Sequence, residues 1–333
     1  MFHLDSLGWD DFFASRFLPF AREGWLPGRV ASESQDRFQL YTERGEVAGR
    51  VSGKLRFAAR ARDDFPAVGD WVAFEPSPDG AIAIIHGVLP RKSKFSRRAA
   101  GTVACEQIVA ANVDVVFLVS ALNHDFNVRR IERYLILARE SGALPVVVLN
   151  KADLCEDVAS PLEAVRAIAP GVPVHPVTGI RPEGLKALDR YLAPGRTAAL
   201  LGSSGVGKST LVNAWLGREA HRVQEARATD DRGRHTTTSR QLRLLPSGAL
   251  LVDTPGMREI QLWGSEAGLG AFEDVAAIAV RCRFRDCRHD QEPGCAVKAA
   301  VEAGTLDPGR LGSYRKTGRE LKSLTRRRRL KAR

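Results

Sequence analysis

One glycine-rich segment carries the strongest chemical signal in the sequence. Residues 202–209 read Gly-Ser-Ser-Gly-Val-Gly-Lys-Ser, which fits the pattern G-x-x-x-x-G-K-S, with an apolar run before it and a helical pattern after it. In this pattern the backbone N–H groups of the loop and the N-terminus of the helix surround phosphates. Lys208 neutralises the β- and γ-phosphates, which makes it a candidate catalytic residue, and the Ser209 hydroxyl ligates Mg²⁺. We therefore predict a nucleoside triphosphate site formed by Gly202, Ser203, Ser204, Gly205, Val206, Gly207, Lys208, Ser209 and Thr210.

A second motif, Asn150-Lys151-Ala152-Asp153, follows a short apolar run and indicates which base is bound. An ionised Asp153 can accept hydrogen bonds from N1–H and the N2 amine of guanine, whereas adenine offers neither donor and would leave the carboxylate unpaired. The Lys151 stem can lie over the base, and Asn150 can tie neighbouring loops together. Residues 177–179, Val-Thr-Gly, could add a backbone contact to the guanine oxygen. Next to a phosphate loop in one sheet, this motif predicts GTP rather than ATP.

Groups for Mg²⁺ and the γ-phosphate are expected from two further segments. Asp253 opens the motif Asp-Thr-Pro-Gly, in which Asp253 can hold Mg²⁺ through a water and the Gly256 N–H can bond the γ-phosphate. A polar loop before it ends in three threonines, one of which can coordinate Mg²⁺ when the γ-phosphate is present. We choose Thr237 for this role and leave Thr236 and Thr238 open.

The residue after this motif bears on the rate of hydrolysis. Many GTPases carry a glutamine there that orients the attacking water, but here the position holds Met257. A thioether cannot orient or activate water in that way, so we expect slow intrinsic hydrolysis and a site that a partner completes. His235 is the candidate for positioning the water; the alternative is an ordinary histidine on a surface loop.

Four metal-ligating residues cluster near the C-terminus in the pattern Cys282-x₄-Cys287-x-His289-x₅-Cys295. Three thiolates and one imidazole suit a tetrahedral Zn²⁺ ion, and a filled coordination sphere makes such a site structural rather than hydrolytic. A bound ion could fold a segment that has little core of its own. The alternative is three unrelated cysteines and a surface histidine.

The elements expected to position these residues alternate strands with helices from residue 113 onward, which is typical of a parallel sheet wrapped by helices. The predicted strands span residues 113–119, 145–149, 172–177, 198–201 and 249–252. In ordinary GTPases the phosphate loop precedes the base motif, but here the base motif comes first. Because domain termini often lie close together, joining them and reopening the chain elsewhere preserves the sheet. The order therefore predicts a circular permutation, after which the Asp253 motif leads directly into the metal cluster.

The N-terminal part of the chain has a different character. Residues 34–90 read as about five short strands separated by turn signals, which fits a small closed barrel of the OB type. Residues 1–33 are interpreted as a packing extension with an uncertain helix. Residues 91–98 place five cations around Phe95, which suits nucleic-acid backbone contact with stacking, or else a solvated linker.

Composition narrows the function class. The chain has 333 residues with 44% hydrophobic and 27% charged residues, which excludes wholesale disorder. The net charge is +11, and residues 305–333 alone contribute +9 through eleven Lys and Arg against two Asp and Glu, which suits a polyanionic partner.

Five cysteines are an odd number, with Cys105 and Cys155 expected as free thiols, so a disulfide framework is not indicated. No signal peptide or apolar run long enough to span a bilayer is evident.

Taken together, these features identify a family resemblance. The chain resembles the circularly permuted GTPases that depend on the small ribosomal subunit (the RsgA/YjeQ type), through the motifs above together with Gly69-Asp70-Trp71-Val72, Ala111-Asn112-Val113-Asp114 and Gly-Arg-His-Thr-Thr-Thr at residues 233–238. The resemblance implies GTP hydrolysis stimulated by the small (30S) subunit and its 16S rRNA, a role in late maturation of that subunit, one bound Zn²⁺, and Mg²⁺ with GTP or GDP. It also implies a cytoplasmic location, and we expect a monomer with no membrane partner.

The predicted fold class is multidomain α/β, with an OB-like barrel, a circularly permuted P-loop GTPase domain and a C-terminal zinc-binding helical module. The expected boundaries are 1–33 for the extension, 34–98 for the barrel, 99–265 for the GTPase domain and 266–333 for the zinc module with its basic tail. Three alternatives stay open: an RNA-binding assembly protein that signals by nucleotide occupancy, a permuted GTPase acting on the large subunit, and a P-loop ATPase or kinase.

Overall fold

The computed structural model describes residues 2–34, 36–77, 82–98, 106–179, 182–217, 240–253 and 272–331. The strands in these residues are β1 (Leu26–Ser34), β2 (Arg37–Thr42), β3 (Gly45–Val51), β4 (Trp71–Pro76), β5 (Ile82–Val88), β6 (Lys94–Arg98), β7 (Glu106–Ala111), β8 (Val115–Ala121), β9 (Leu144–Asn150), β10 (Val174–Pro176), β11 (Thr197–Leu201), β12 (Arg240–Leu244) and β13 (Leu250–Asp253). The α-helices are α1 (Asp11–Ala21), α2 (Gly53–Ala58), α3 (Val128–Ser141), α4 (Ala159–Ile168), α5 (Lys186–Asp189), α6 (Lys208–Leu216), α7 (Glu273–Ala279), α8 (Ala296–Glu302) and α9 (Pro308–Lys331).

Five strands close into a barrel in the order β1-β2-β3-β5-β4-β1. Only β3 and β5 pair in parallel; the other neighbours are antiparallel. In β2, Phe38 and Leu40 point inward while Gln39 is partly exposed, which follows from the two-residue period of a strand. The barrel core consists of Val30, Phe38, Leu40, Val51, Val72, Phe74, Ala83 and Ile85. The predicted OB-like barrel is therefore confirmed.

The N-terminal segment packs against this barrel. Phe13 and Phe17 of α1 are buried, and the ring centroid of Phe13 lies 5.8 Å from that of Trp71. The boundary we placed between residues 33 and 34 needs correction, because β1 begins at Leu26 and pairs with both β2 and β4. The sequence hid this strand because its alternation is broken by a β-bulge between Val30 and Ser32.

The second part of the fold is a sheet in the order β10-β9-β8-β11-β13-β12. Neighbours from β10 to β13 are parallel, and β12 is antiparallel to β13. Every residue of β8 is buried, as expected for a strand covered on both faces by helices. The carboxyl ends of β8, β9, β10, β11 and β13 therefore meet along one edge.

Among the described residues, several contacts join the barrel to this sheet, and two of them show why they could not be predicted. The edge strand β12 also pairs with β1, where Ser32 lies opposite Gln241. The fully buried Arg29 of β1 donates to the Asn112 carbonyl at 3.1 Å and to Thr197 Oγ1 at 2.8 Å. Both contacts link segments far apart in the chain, which a local pattern cannot report.

The segment between the two parts also needs correction. β6 and β7 form an antiparallel hairpin, so the boundary we placed at residues 98 and 99 cuts through a ladder. Phe95 is buried and cannot stack on a nucleic acid, while Arg91 forms a bidentate pair with the fully buried Asp70 at 2.7 and 2.8 Å. Neither the nucleic-acid reading nor the solvated-linker reading of residues 91–98 is therefore correct at these two positions.

The C-terminal module contains α7, α8 and α9 and docks on α3. Ion pairs between described residues connect it to that helix; they include Asp307 with Arg129, Arg310 with Glu132, Glu320 with Arg133, and Glu273 with Arg139. Our boundary at residues 265 and 266 lies outside the described residues. Among the described residues, no helix is both long enough and apolar enough to cross a membrane.

Candidate functional site

The base motif and the phosphate loop meet at the carboxyl edge of the sheet. β9 ends at Asn150 and β11 ends at Leu201, and the strand between them, β8, pairs in parallel with both. In open α/β sheets this edge is where ligands bind. The permuted chain order therefore still brings both predicted nucleotide motifs to one place.

The Asn150 side chain connects three loops at this edge. It is almost fully buried; its Nδ2 donates to the Val206 carbonyl at 2.9 Å, and its Oδ1 accepts from the Gly179 N–H at 3.0 Å. The base motif is thereby fixed to the phosphate loop and to the Val-Thr-Gly segment. This is the connecting role that we predicted for Asn150.

The phosphate loop needs glycine where its backbone approaches neighbouring groups closely. Gly207 has a φ of +97°, a left-handed conformation, and a Cβ there would overlap Asn150 Nδ2. A Cβ on Gly202 would overlap the Val119 carbonyl. After Gly207 the chain enters α6, whose buried Leu211 and Val212 anchor it to the sheet, so its N-terminus points at the loop.

The Lys208 side chain folds back over the loop that precedes it. Its Nζ donates to the carbonyls of Gly202 at 2.7 Å and Ser203 at 2.5 Å. The ammonium group thus lies at the mouth of the loop, where a β- or γ-phosphate would face it. On nucleotide binding, Lys208 Nζ would exchange its contacts with these carbonyls for contacts with phosphate oxygens.

A cavity of about 470 Å³ adjoins the loop. Its lining combines loop residues with Lys151 of the base motif and the start of α3; these residues are Ala121, Asn123, His124, Asp125, Arg130, Tyr134, Lys151, Ser203, Ser204, Gly205 and Val206. Lys151 has a φ of +62°, which turns the chain sharply after β9. Asp153 is exposed at this edge, so its carboxylate is free to meet a base.

Sequence reasoning missed Arg130, which belongs to this cavity. Its Nη1 donates to Ser203 Oγ in the phosphate loop at 2.6 Å, and its guanidinium pairs with both oxygens of Asp125 at 2.6 and 3.0 Å. The hydrogen bond from Arg130 lowers the pKa of Asp125, so this carboxyl is ionised at neutral pH. No motif marks these residues, and Ser203 lies 73 positions from Arg130 in the chain, so the sequence carried no signal for this contact.

Several predicted site residues lie outside the described residues. These are His235, Thr236, Thr237, Thr238, Gly256, Met257 and Cys105. Asp253 is the last residue of β13, at the same edge as Asn150 and Leu201. The roles given to these residues stay predictions.

The four predicted metal ligands lie together in the C-terminal module. Cys282, Cys287, His289 and Cys295 place one potential ligand atom each within 4.8 Å of one another. Cys282 Sγ lies 3.9 Å from Cys295 Sγ and 3.6 Å from His289 Nδ1, and Cys295 Sγ lies 3.5 Å from the same nitrogen. A tetrahedral ion with Zn–S bonds of about 2.3 Å and Zn–N bonds of about 2.0 Å requires S···S of about 3.8 Å and S···N of about 3.5 Å.

The surroundings of this cluster also suit a metal. His289 and Cys295 are buried, and burial lowers the pKa of His289, which favours the neutral imidazole that binds metals. The Lys298 N–H at the start of α8 donates to Cys295 Sγ at 3.4 Å, which orients a thiolate. The residues present therefore fit a metal ion, and Cys155 lies outside the cluster as a free thiol, as predicted.

Comparison with known proteins agrees with this geometry. A family model described as RsgA GTPase matches residues 88–263. The small ribosomal subunit biogenesis GTPase RsgA of Opitutus terrae is 51% identical over 327 residues, which cover 95% of this chain and 89% of that protein. The protein of the same name from Syntrophotalea carbinolica is 43% identical over 332 residues, covering 97% of this chain and 91% of that protein.

Solved structures share the same architecture. YjeQ from Thermotoga maritima superposes with a TM-score of 0.67 at 29% identity, covering 89% of this chain and 98% of that chain. YloQ, described as a circularly permuted GTPase, gives a TM-score of 0.62 at 22% identity and covers 90% and 96% of the two chains, which shows a shared fold. Since the family model matches more than half of the sequence and the relatives match nearly all of it, the chain belongs to the RsgA GTPase family.

Proposed function

We propose that this protein is a GTPase that hydrolyses GTP during biogenesis of the small ribosomal subunit. The observation that carries the proposal is Asn150, whose side chain joins the guanine motif to the phosphate loop in a single pocket. The names of the relatives, small ribosomal subunit biogenesis GTPase, support the biological role.

Each part of the pocket has a distinct task. Asp153 reads the guanine edge, and Lys151 covers the base. Lys208 and the backbone N–H groups at the start of α6 stabilise negative charge on the phosphates as it shifts toward the leaving oxygen. His235 is our candidate for positioning the attacking water, in place of the glutamine that Met257 replaces.

Two metal ions complete the proposal. Ser209, Thr237 and Asp253 would hold Mg²⁺, which neutralises charge on the β- and γ-phosphates when it is bound. We identify the ion of the Cys282, Cys287, His289 and Cys295 cluster as Zn²⁺, because three thiolates and one imidazole at tetrahedral spacing favour it. A full set of four protein ligands leaves no open position, so this ion has a structural role.

We infer that the partner is the 30S subunit and that contact is made with its 16S rRNA. Exposed arginines in the metal-binding segment support this inference, together with the basic sequence at the end of α9. Sequence reasoning passed over these arginines, which are Arg281, Arg283, Arg285 and Arg288. Phosphate contacts by such residues make binding fall steeply with salt. A monomer acting in the cytoplasm, where ribosomes assemble, is the simplest state consistent with this role.

Phosphate release from GTP, measured with and without purified 30S subunits, tests the function. We expect slow release by the protein alone and a large increase with 30S subunits, but not with 50S subunits. Lys208→Ala should abolish the increase, because the charge at the phosphates is lost. Stimulation by 50S subunits, or full activity of Lys208→Ala, would contradict the proposal.

Sedimentation with 30S subunits tests the RNA contact. We expect co-sedimentation with GTP analogues that falls several-fold between about 50 and 200 mM salt, as it does for phosphate contacts in general. Binding that is insensitive to salt would indicate a ribosomal protein as the main contact.

A further inference from the structure

Arg130 occupies an unusual position between a helix and the phosphate loop. It lies in the first turn of α3, and its backbone N–H donates to the capping side chain of Asn127 at 3.2 Å, which fixes the start of the helix. Its side chain extends to the loop, where Nη1 lies 2.6 Å from Ser203 Oγ. The helix is therefore attached to the second residue of the phosphate motif.

The orientation of this side chain is fixed by Asp125. The carboxylate receives two guanidinium nitrogens, at 2.6 and 3.0 Å, in the bidentate geometry that gives arginine–carboxylate pairs their directionality. An isolated exposed ion pair contributes little to stability. Here the same guanidinium has a third polar contact, to Ser203, so the pair directs a hydrogen bond at a functional loop.

The two anchors of Ser203 behave differently when phosphate binds. Its carbonyl accepts from Lys208 Nζ at 2.5 Å, and that ammonium group is needed by the phosphates. Its hydroxyl accepts from Arg130, which does not have to leave. The contact to Arg130 is thus the one that can hold the first turn of the loop while Lys208 changes partners.

We propose that Arg130 is a positioning residue for the phosphate loop, which it holds through the Ser203 hydroxyl in the form that binds the nucleotide. The proposal rests on the nucleotide site of the proposed function. Arg130 acts on the loop and not on the reacting atoms, and Asp125 orients it.

A double-mutant cycle on GDP affinity tests the proposal. The variants are Arg130→Ala, Ser203→Ala and the double variant, with GDP affinity measured by titration calorimetry. We expect each single change to weaken GDP binding about tenfold. Because the two changes remove the same contact, the double variant should bind GDP as tightly as the more impaired of the two single variants. A double variant whose loss equals the product of the two single losses would overturn the proposal, as would wild-type affinity in Arg130→Ala.

Asp125→Asn separates positioning from simple charge attraction. If Arg130 acted only by its positive charge, removal of the neighbouring negative charge would strengthen GDP binding. Positioning predicts the opposite, a loss of several-fold, because the guanidinium loses its bidentate partner. Tighter GDP binding by Asp125→Asn would overturn the proposal.

A matched control is Arg166→Ala, which removes an exposed arginine paired with Glu163 within α4. We expect it to bind GDP as the wild-type protein does. Thermal unfolding of every variant shows whether it is folded, and Arg130→Lys provides a second test if Arg130→Ala unfolds, with an intermediate loss expected. Wild-type protein that fails to bind GDP would refute the proposed function, whereas normal wild-type binding with unaffected variants would refute only this inference.

Discussion

Nη1 of Arg310 lies 2.8 Å from Oε1 of Glu132, and both side chains are almost fully buried. The pair joins α9 of the C-terminal module to α3 of the GTPase sheet. Arg310 also forms a bidentate pair with Asp274 at the start of the module, at 2.7 and 2.9 Å, and its guanidinium lies 4.5 Å from the ring centroid of Phe272. One arginine therefore holds together the module and its docking helix.

Loss of Arg310 should be costly for stability. Arg310→Met removes one of the two cationic partners of the buried Glu132 carboxylate, and breaking a buried ion pair completely costs about 3–5 kcal/mol. Glu132 keeps Arg129 as a partner, so we expect about 3 kcal/mol in urea unfolding. Arg166→Ala, which breaks an exposed pair, should cost less than about 1 kcal/mol. A loss for Arg310→Met as small as that of Arg166→Ala would contradict this account.

Nucleotide affinity of the same variant shows whether α3 connects the module to the phosphate loop. Glu132 and Arg130 lie on one turn of α3, so a displaced module should disturb the Arg130 contact to Ser203. Arg310→Met should therefore weaken GDP binding, and this loss should disappear in the Arg130→Ala background. Equal losses in both backgrounds would show that the module does not act through Arg130.

Metal removal should unfold part of the C-terminal module. Purified protein should contain one Zn²⁺ per chain by elemental analysis, and Cys287→Ser should lower both zinc content and the unfolding temperature, because metal binding and folding are coupled. Cys155→Ser, which alters a thiol outside the cluster, should retain zinc. A full zinc content in Cys287→Ser, or another metal in its place, would contradict the assignment.

Acid should destabilise the protein partly through Asp274. Burial alone would raise the pKa of this carboxyl, but the hydrogen bond and charge of Arg310 outweigh burial and lower the pKa from its ordinary value of 3.8. A depressed pKa contributes stability that is complete above the unfolded value and is lost as the pH falls through the folded value. As the pH falls below about 4, the unfolding free energy should fall less steeply for Asp274→Asn than for wild type. Parallel curves would contradict this assignment.

Replacing one carboxylate oxygen of Asp153 with an NH₂ group should change which base the protein binds. Asp153→Asn replaces an acceptor with a donor, which suits the C2 carbonyl of xanthine and opposes the N2 amine of guanine. We expect GDP affinity to fall by about a hundredfold or more, because the N2 amine of guanine would face a donor instead of an acceptor, and xanthosine diphosphate affinity to rise. Unchanged preference for GDP in a binding competition would place the base elsewhere.

The parts of the site that could be predicted from sequence are those whose residues act within short motifs. Residues 202–209 dictate a glycine loop, and Asn150 was expected to connect loops; in the structure its amide does so by both donating and accepting. Arg130 and Arg29 could not be predicted, because their partners lie far away in the chain and neither belongs to a motif. Arg91 was misread for the same reason, since its partner is a buried aspartate in a preceding turn.

In the fold, too, local patterns predicted the elements, whereas contacts between distant segments could not be predicted. The alternation of apolar strands with helices predicted the parallel sheet. The strand predicted at residues 145–149, for example, is β9 (Leu144–Asn150) in the structure. The pairing of β1 with β12, which makes the barrel continuous with the sheet, depends on two edges meeting in space. No local pattern encodes such an edge contact.

The most direct test of the central claim, that the guanine motif and the phosphate loop grip one nucleotide, is a calorimetric comparison of GDP, ADP and guanosine. GDP should bind, while ADP and guanosine should each bind at least about a hundredfold more weakly, because one lacks the base contacts and the other lacks the phosphates. ADP binding as tightly as GDP, or guanosine binding as tightly as GDP, would contradict the account.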